Sequence, residues 1–127
     1  MRELTVETER HREVRDITDH IDETLEADYS GLVTVFTTHT TTGIVVNEAE
    51  PRLLSDFETA LDELVANTGW QHDELDGNAD AHIRAMLIGS DVTVPVVDGS
   101  LALGTWQAVL FFECDGPRSR TVTVHKH

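Results

Sequence analysis

The chain has 127 residues, 39% of them hydrophobic, with nine Lys and Arg against 24 Asp and Glu and a net charge of −15. That length suits one domain, residues 1–127, with a core of its own. So negative a field excludes nucleic acid and anionic membranes as partners, because phosphate binding needs clustered cations. No apolar run approaches the roughly 20 residues that span a bilayer, and residues 1–7 carry no signal-like hydrophobic stretch, so a cytoplasmic protein is expected. Lys126 is the sole lysine and carboxylates occupy every segment, a pattern that reads as adaptation to a high-salt cytoplasm rather than as a partner surface. A single cysteine, Cys114, rules out an internal disulfide or thiolate metal cluster, and its apolar context reads as a buried structural thiol.

Taken in chain order, Leu4, Val6 and Thr8 alternate with polar residues and predict a strand that continues towards Val14. Ile17, Ile21 and Leu25, four apart, predict a short amphipathic helix over 17–27. Residues 32–36 form a β-rich run, 37–42 a polar stretch, and 43–47 another strand. Pro51 suits a first helical turn, and Leu53, Leu54, Phe57, Leu61, Leu64 and Val65 share one face of a helix over 51–67. A polar loop over 70–77 follows, and Asn78 is a candidate cap for a helix reaching Leu87. Asp98-Gly99 is a hairpin signal between two extended segments. Residues 105–114 predict a long apolar strand, and 121–125 a final alternating one. Strands outnumber helices and are joined by short turns. This predicts an α+β fold of mostly antiparallel sheets packed as a sandwich, with about three helices outside.

Three places hold candidate chemistry. His39 sits in Thr37-Thr38-His39-Thr40-Thr41-Thr42, where hydroxyls such as those of Thr40 and Thr41 can hold a phosphate or polarised carbonyl while the imidazole handles a proton. The alternative is an edge strand of β-branched residues with an exposed histidine. His72 lies in a loop and His82 on the following helix. With His39 they supply three imidazoles, a set that suits Zn²⁺ with one position left open, provided carboxylates such as Asp73, Asp76 or Glu48 orient the rings. Read singly, His72 is a surface residue and His82 a core histidine. Arg118 and Arg120 follow a tight turn in a chain short of cations. They suit a phosphate or carboxylate, or else pair with the nearby Glu113 and Asp115. Trp106 and Gln107 either line a pocket for a flat ring or belong to a strand whose Trp is core. There is no GxSxG, P-loop, GxGxxG, HExxH or CxxC.

The successive blocks His39-Thr40-Thr41-Thr42-Gly43-Ile44 with Asn47-Glu48, Asn78-x-x-Ala81-His82, Gly89-Ser90, Pro95-Val96, Gly99-x-Leu101-x-Leu103-Gly104-Thr105-Trp106-Gln107 and Glu113-x-Asp115-Gly116-Pro117-Arg118-x-Arg120 resemble, in that order, the signatures of the YjbQ family. The resemblance covers nearly the whole chain. It implies a sandwich-like domain assembling as a homotrimer, with a polar site near the subunit boundary. It also implies a weak, secondary thiamine-phosphate-synthase activity that joins a pyrimidine methyl diphosphate to a thiazole phosphate and releases pyrophosphate. The site residues it implies are His39, Glu48, His72, His82 and Arg118, with Thr40, Thr41, Asn47, Ser90, Trp106, Gln107 and Arg120 as substrate contacts. Expelling pyrophosphate calls mainly for neutralising the leaving group; the two arginines, with Mg²⁺ on Glu48 or Asp115, would serve. A three-histidine Zn²⁺ site would instead suit a metal-dependent hydrolase of a phosphorylated small molecule. A non-catalytic trimeric ligand-binding protein is the third expectation.

Overall fold

The computed structural model describes residues Met1–His127. In chain order the first half comprises β1 (Arg2–Glu7), β2 (Glu13–Asp16), α1 (Thr18–Asp22), β3 (Gly31–Thr37), β4 (Thr42–Asn47) and α2 (Pro51–Leu64). A 3₁₀ turn at Gln71–Glu74 then leads to α3 (Ala79–Ile88), β5 (Asp91–Val97), β6 (Ser100–Leu101), β7 (Ala108–Glu113) and β8 (Ser119–Lys126). All strand pairs are antiparallel. One sheet has the order β1-β8-β3-β5-β6 and the other β2-β7-β4. No helix is long and apolar enough to cross a membrane.

The two sheets enclose the main core. Val6, Val33, Val35, Val94, Val96, Val122 and Val124 face inward from the larger sheet, meeting Ile44, Val109 and Phe111 of the smaller and Ile17 and Ile21 from around α1. Removing each such side chain from water contributes ~1.5–3 kcal/mol. The apolar run in β7 follows from its place at the centre of its sheet. Val109 and Phe111 enter the main core, whereas Ala108, Leu110 and Phe112 face a second cluster built with Leu54, Phe57 and Leu61 of α2. A strand covered on both faces loses the polar alternation of a half-exposed one.

Several elements differ from their sequence-based expectation. The first strand does not run through Val14, because the backbone N–H groups of Glu9 and Arg10 both donate to Glu13 Oε1, at 2.8 and 3.1 Å. The resulting turn carries the chain from one sheet to the other. The helix expected over 17–27 spans only 18–22. The second stops at Leu64, because Val65 turns into the interior, 2% exposed, with its carbonyl bound by Arg84 Nη2 at 3.2 Å. Asn78 makes no side-chain cap; its amide donates instead to Asp115 Oδ2 at 2.9 Å. The apolar strand expected over 105–114 spans Ala108–Glu113. The Asp98-Gly99 turn is as expected, with φ of 48° and 78° at its two residues, a type I′ hairpin.

Arg84, on α3, is 1% exposed. Its guanidinium holds Asp80, Asp62 and Asn67 as well as the Val65 carbonyl. Arg12 binds the same two aspartates and Asn67. Together they fasten the end of α2 to α3 and thereby place α3 over the ends of β3 and β4.

Candidate functional site

Residues 38–41 join β3 to β4, and Thr37 Oγ1 and Thr42 Oγ1 close the loop at 2.6 Å. The end of α3 supplies the opposite wall. The Gly89 carbonyl accepts from Ile44 N–H at 2.9 Å and that of Ser90 from Thr37 N–H at 3.0 Å. Between them lies a cavity of about 480 Å³ lined by Thr38, His39, Thr40, His82 and Ser90, with Phe36, Ala85 and Met86 as its apolar part. None of its lining residues is acidic, although 24 of the 127 residues are Asp or Glu.

The loop is anchored from behind by β8. Thr121 N–H donates to His39 Nε2 at 2.9 Å, and Arg120 Nη2 donates to Thr41 Oγ1 at 3.0 Å. Arg120 and Glu113 are 4% and 2% exposed and form a buried ion pair through both guanidinium nitrogens Nε and Nη2. Thr8 Oγ1 and the Asp115 N–H also donate to Glu113, at 2.7 and 3.1 Å. Burial, then the positive charge of Arg120, with Arg118 adding to it and Glu113 opposing, hold His39 below the ordinary histidine range.

His82 also borders a second cavity of about 450 Å³, shared with Trp70, His72 and Ile83. The rings of His72 and His82 meet edge to face with centroids 5.0 Å apart. His72 Nε2 is buried without a hydrogen bond, and Asp76 Oδ2 stands 3.6 Å from it. Asp73 does not orient a histidine; it accepts from Trp70 N–H at 3.1 Å and Ala79 N–H at 3.2 Å, folding the segment that starts α3. So His72 meets His82, and His82 shares a cavity with His39. The convergence of all three into one metal set is not found, for no three His, Cys, Asp or Glu side chains of the chain stand close enough to hold an ion. The Asp115 carboxylate accepts from Asn78 and Arg118 through Oδ2.

Other expected site residues lie elsewhere. Asn47, Glu48, Trp106 and Gln107 border a separate cleft beside the start of α2. Trp106 is 74% exposed, which overturns the core reading of that residue. Arg118 folds back on Asp115, donating to its carbonyl at 3.0 Å, and Arg120 is consumed by Glu113. The two arginines thus follow the ion-pair alternative rather than an open anion fork. Cys114 is buried, and its thiol is pushed up to about 12 by desolvation. The contribution that sequence reasoning missed is the backbone N–H of Thr121, since no side-chain pattern announces it.

A family model described as UPF0047 protein YjbQ-like matches residues 2–127. The chain belongs to the YjbQ family. It is 51% identical to a UPF0047 protein of Archaeoglobus fulgidus over 96% of this chain and 97% of the relative. It is 35% identical to the UPF0047 protein YugU of Bacillus subtilis, over 95% of this chain and 94% of that one. Among solved structures, a hypothetical protein from Aeropyrum pernix K1 superposes with a TM-score of 0.93 at 44% identity, covering 98% of this chain and 96% of that one. A YjbQ/UPF0047 protein from Clostridium acetobutylicum gives 0.91 at 37% identity over the whole of both chains. This YjbQ-family chain therefore shares its α+β fold with solved relatives.

Proposed function

We propose that the cavity between the 38–41 loop and α3 binds a phosphorylated small metabolite, and that the protein acts on it as a weak thiamine-phosphate-synthase-like transferase. One observation carries the reading. In a chain of net charge −15, the polar part of this cavity's lining is hydroxyls, two imidazoles and backbone, with no carboxylate to repel an anion. Thr38, Thr40 and Ser90 offer hydroxyl donors, and His39 and His82 offer ring nitrogens. Displacing pyrophosphate from the pyrimidine methyl carbon needs stabilisation of the departing charge, and fixed donors in a partly enclosed site provide it. Mg²⁺ enters as the counter-ion of the diphosphate substrate, not as a resident of the protein.

The same reading includes a homotrimer. In one chain the Glu48–Trp106–Gln107 cleft is separate from the His39 cavity, and Trp106 and Met86, 74% and 72% exposed, are apolar surface that a second copy would cover. Light scattering on the eluted protein checks the mass.

The functional test supplies pyrimidine methyl diphosphate, thiazole phosphate and Mg²⁺ to the wild type, His39→Ala, His82→Ala and the control His20→Ala. Slow product formation, lost in the first two variants and kept in the third, is expected. A wild type that binds neither substrate, or equal losses in all three variants, sinks the assignment.

A further inference from the structure

Which ring nitrogen of His39 carries the proton is decided by the far end of the chain. Strand β8 outruns β3. The last pair of that ladder is Thr37 with Val122, so the amide of Thr121 lies one rung past the end of β3. On its other side Thr121 is already registered against Thr5 of β1. The imidazole of His39 takes the place of the missing rung, and its Nε2 accepts the Thr121 N–H at 2.9 Å. An N–H cannot donate to another N–H. While this bond stands Nε2 carries no proton, and the proton of the neutral ring sits on Nδ1.

We propose that His39 works as a neutral hydrogen-bond donor, offering Nδ1–H to an anionic phosphate oxygen in the cavity, and is neither a general base nor an Nε2 metal ligand. The identity of the ligand rests on the phosphate-binding reading above; the state of the ring does not. The charged surroundings agree with a neutral ring. Arg120, one residue before the donating amide, is buried against Glu113 and bonded to Thr41 of the same loop, so a fixed positive charge stands behind the imidazole. Arg118 adds a second, and Glu113, already bound by Arg120, Thr8 and the Asp115 amide, is the one opposing carboxylate. The cavity itself supplies no acid to stabilise an imidazolium. A neutral imidazole N–H is a far weaker acid than imidazolium, so its proton stays on the ring and the bond to the oxyanion is electrostatic stabilisation rather than proton transfer. Arg120 and the Thr121 amide are then positioning groups that act through His39.

Two-bond ¹H–¹⁵N spectra of histidine-labelled protein report which ring nitrogen bears the proton, and His39→Gln assigns the signal. The expected spectrum shows His39 as the Nδ1–H tautomer, persisting as pH falls past the ordinary histidine value of about 6.5. An Nε2–H tautomer, or an imidazolium at neutral pH, overturns the proposal. A second arm titrates inorganic pyrophosphate into the wild type, His39→Asn and His39→Gln. Asparagine places an amide N–H near the Nδ1 position, whereas glutamine restores only the acceptor for Thr121. Glutamine is expected to weaken binding about tenfold or more, the value of one hydrogen bond to a charged group, with asparagine nearer the wild type. The reverse order overturns the donor role. A wild type that ignores pyrophosphate removes the phosphate reading alone, and the spectra still judge the ring.

Discussion

Arg120 and Glu113 face each other across the turn that joins β7 to β8, each almost wholly buried, with Arg120 Nε 2.8 Å from Glu113 Oε1. The pair ties the 38–41 loop to β8 through Thr41. Every oxygen of Glu113 is met by a donor, so removing either partner strands a buried charge. Glu113→Gln and Arg120→Met are each expected to cost ~3–5 kcal/mol in urea unfolding. Replacing both with apolar residues of similar volume should restore much of that loss, since no unpaired charge remains. Single variants as stable as the wild type would show that the pair is not closed in solution.

Stability should depend on pH through His39. Its folded value lies below the unfolded 6.5, so between the two values the unfolded chain binds the proton and the folded chain does not. Folding free energy is therefore fully present above about 6.5 and declines as pH falls from there towards the lowered folded value. His39→Gln, which cannot titrate, removes that slope. The wild-type-minus-variant difference in chemical unfolding should be flat above pH 6.5 and shrink below it. A difference that grows with acidity contradicts the assignment.

Cys114 should be inert in the native protein. It is 3% exposed, and desolvation raises its thiol to about 12, so almost no thiolate exists at pH 8. Disulfide-exchange reagents are expected to label it only in denaturant. Cys114→Ala should leave any turnover unchanged, and prompt labelling of the folded chain would argue against this burial.

Gly43 is required by close approach. A Cβ there would lie 2.4 Å from Ile88 Cγ2 and 2.9 Å from the Gly89 carbonyl oxygen, the same oxygen that accepts from Ile44 N–H. Gly43→Ala should push the end of α3 off β4, costing ~1–3 kcal/mol, and loosen the cavity wall at Ser90. Thermal unfolding and pyrophosphate titration of the variant measure both effects.

Much of the architecture was legible from one-dimensional pattern because its causes are local. Alternation marks β1 and β8, and Pro51 with the three- and four-residue spacing of Leu54, Phe57 and Leu61 marks α2. Asp98-Gly99 marks the hairpin, because a type I′ turn needs two residues that tolerate positive φ. The apolar run of β7 was legible as a strand, but not its burial on two faces. Residues 8–12 looked like continuous strand because the Glu13 carboxylate that turns the chain acts on amides three and four residues before it. The histidines, the Thr-rich loop and the Trp106-Gln107 segment were all visible as candidates, and the family signature grouped them.

Their arrangement was not visible, because it depends on distances that spacing does not carry. His82 reaches both His72 and the His39 cavity only because Arg84 and Arg12 dock α3 against α2. Trp106 and Glu48 belong to a different cleft. Arg118 and Arg120 look alike in the sequence, yet one is exposed and the other buried, since Arg118 lies in the turn before β8 and folds back on Asp115, whereas Arg120 stands on β8 against Glu113. The ring state of His39 depends on an amide 82 residues away. Composition and periodicity determined what elements this chain forms and which groups it has to work with. Only the register of β8 against β3, a tertiary quantity, decided that the Thr121 amide falls one rung beyond Thr37 and meets the ring of His39 there.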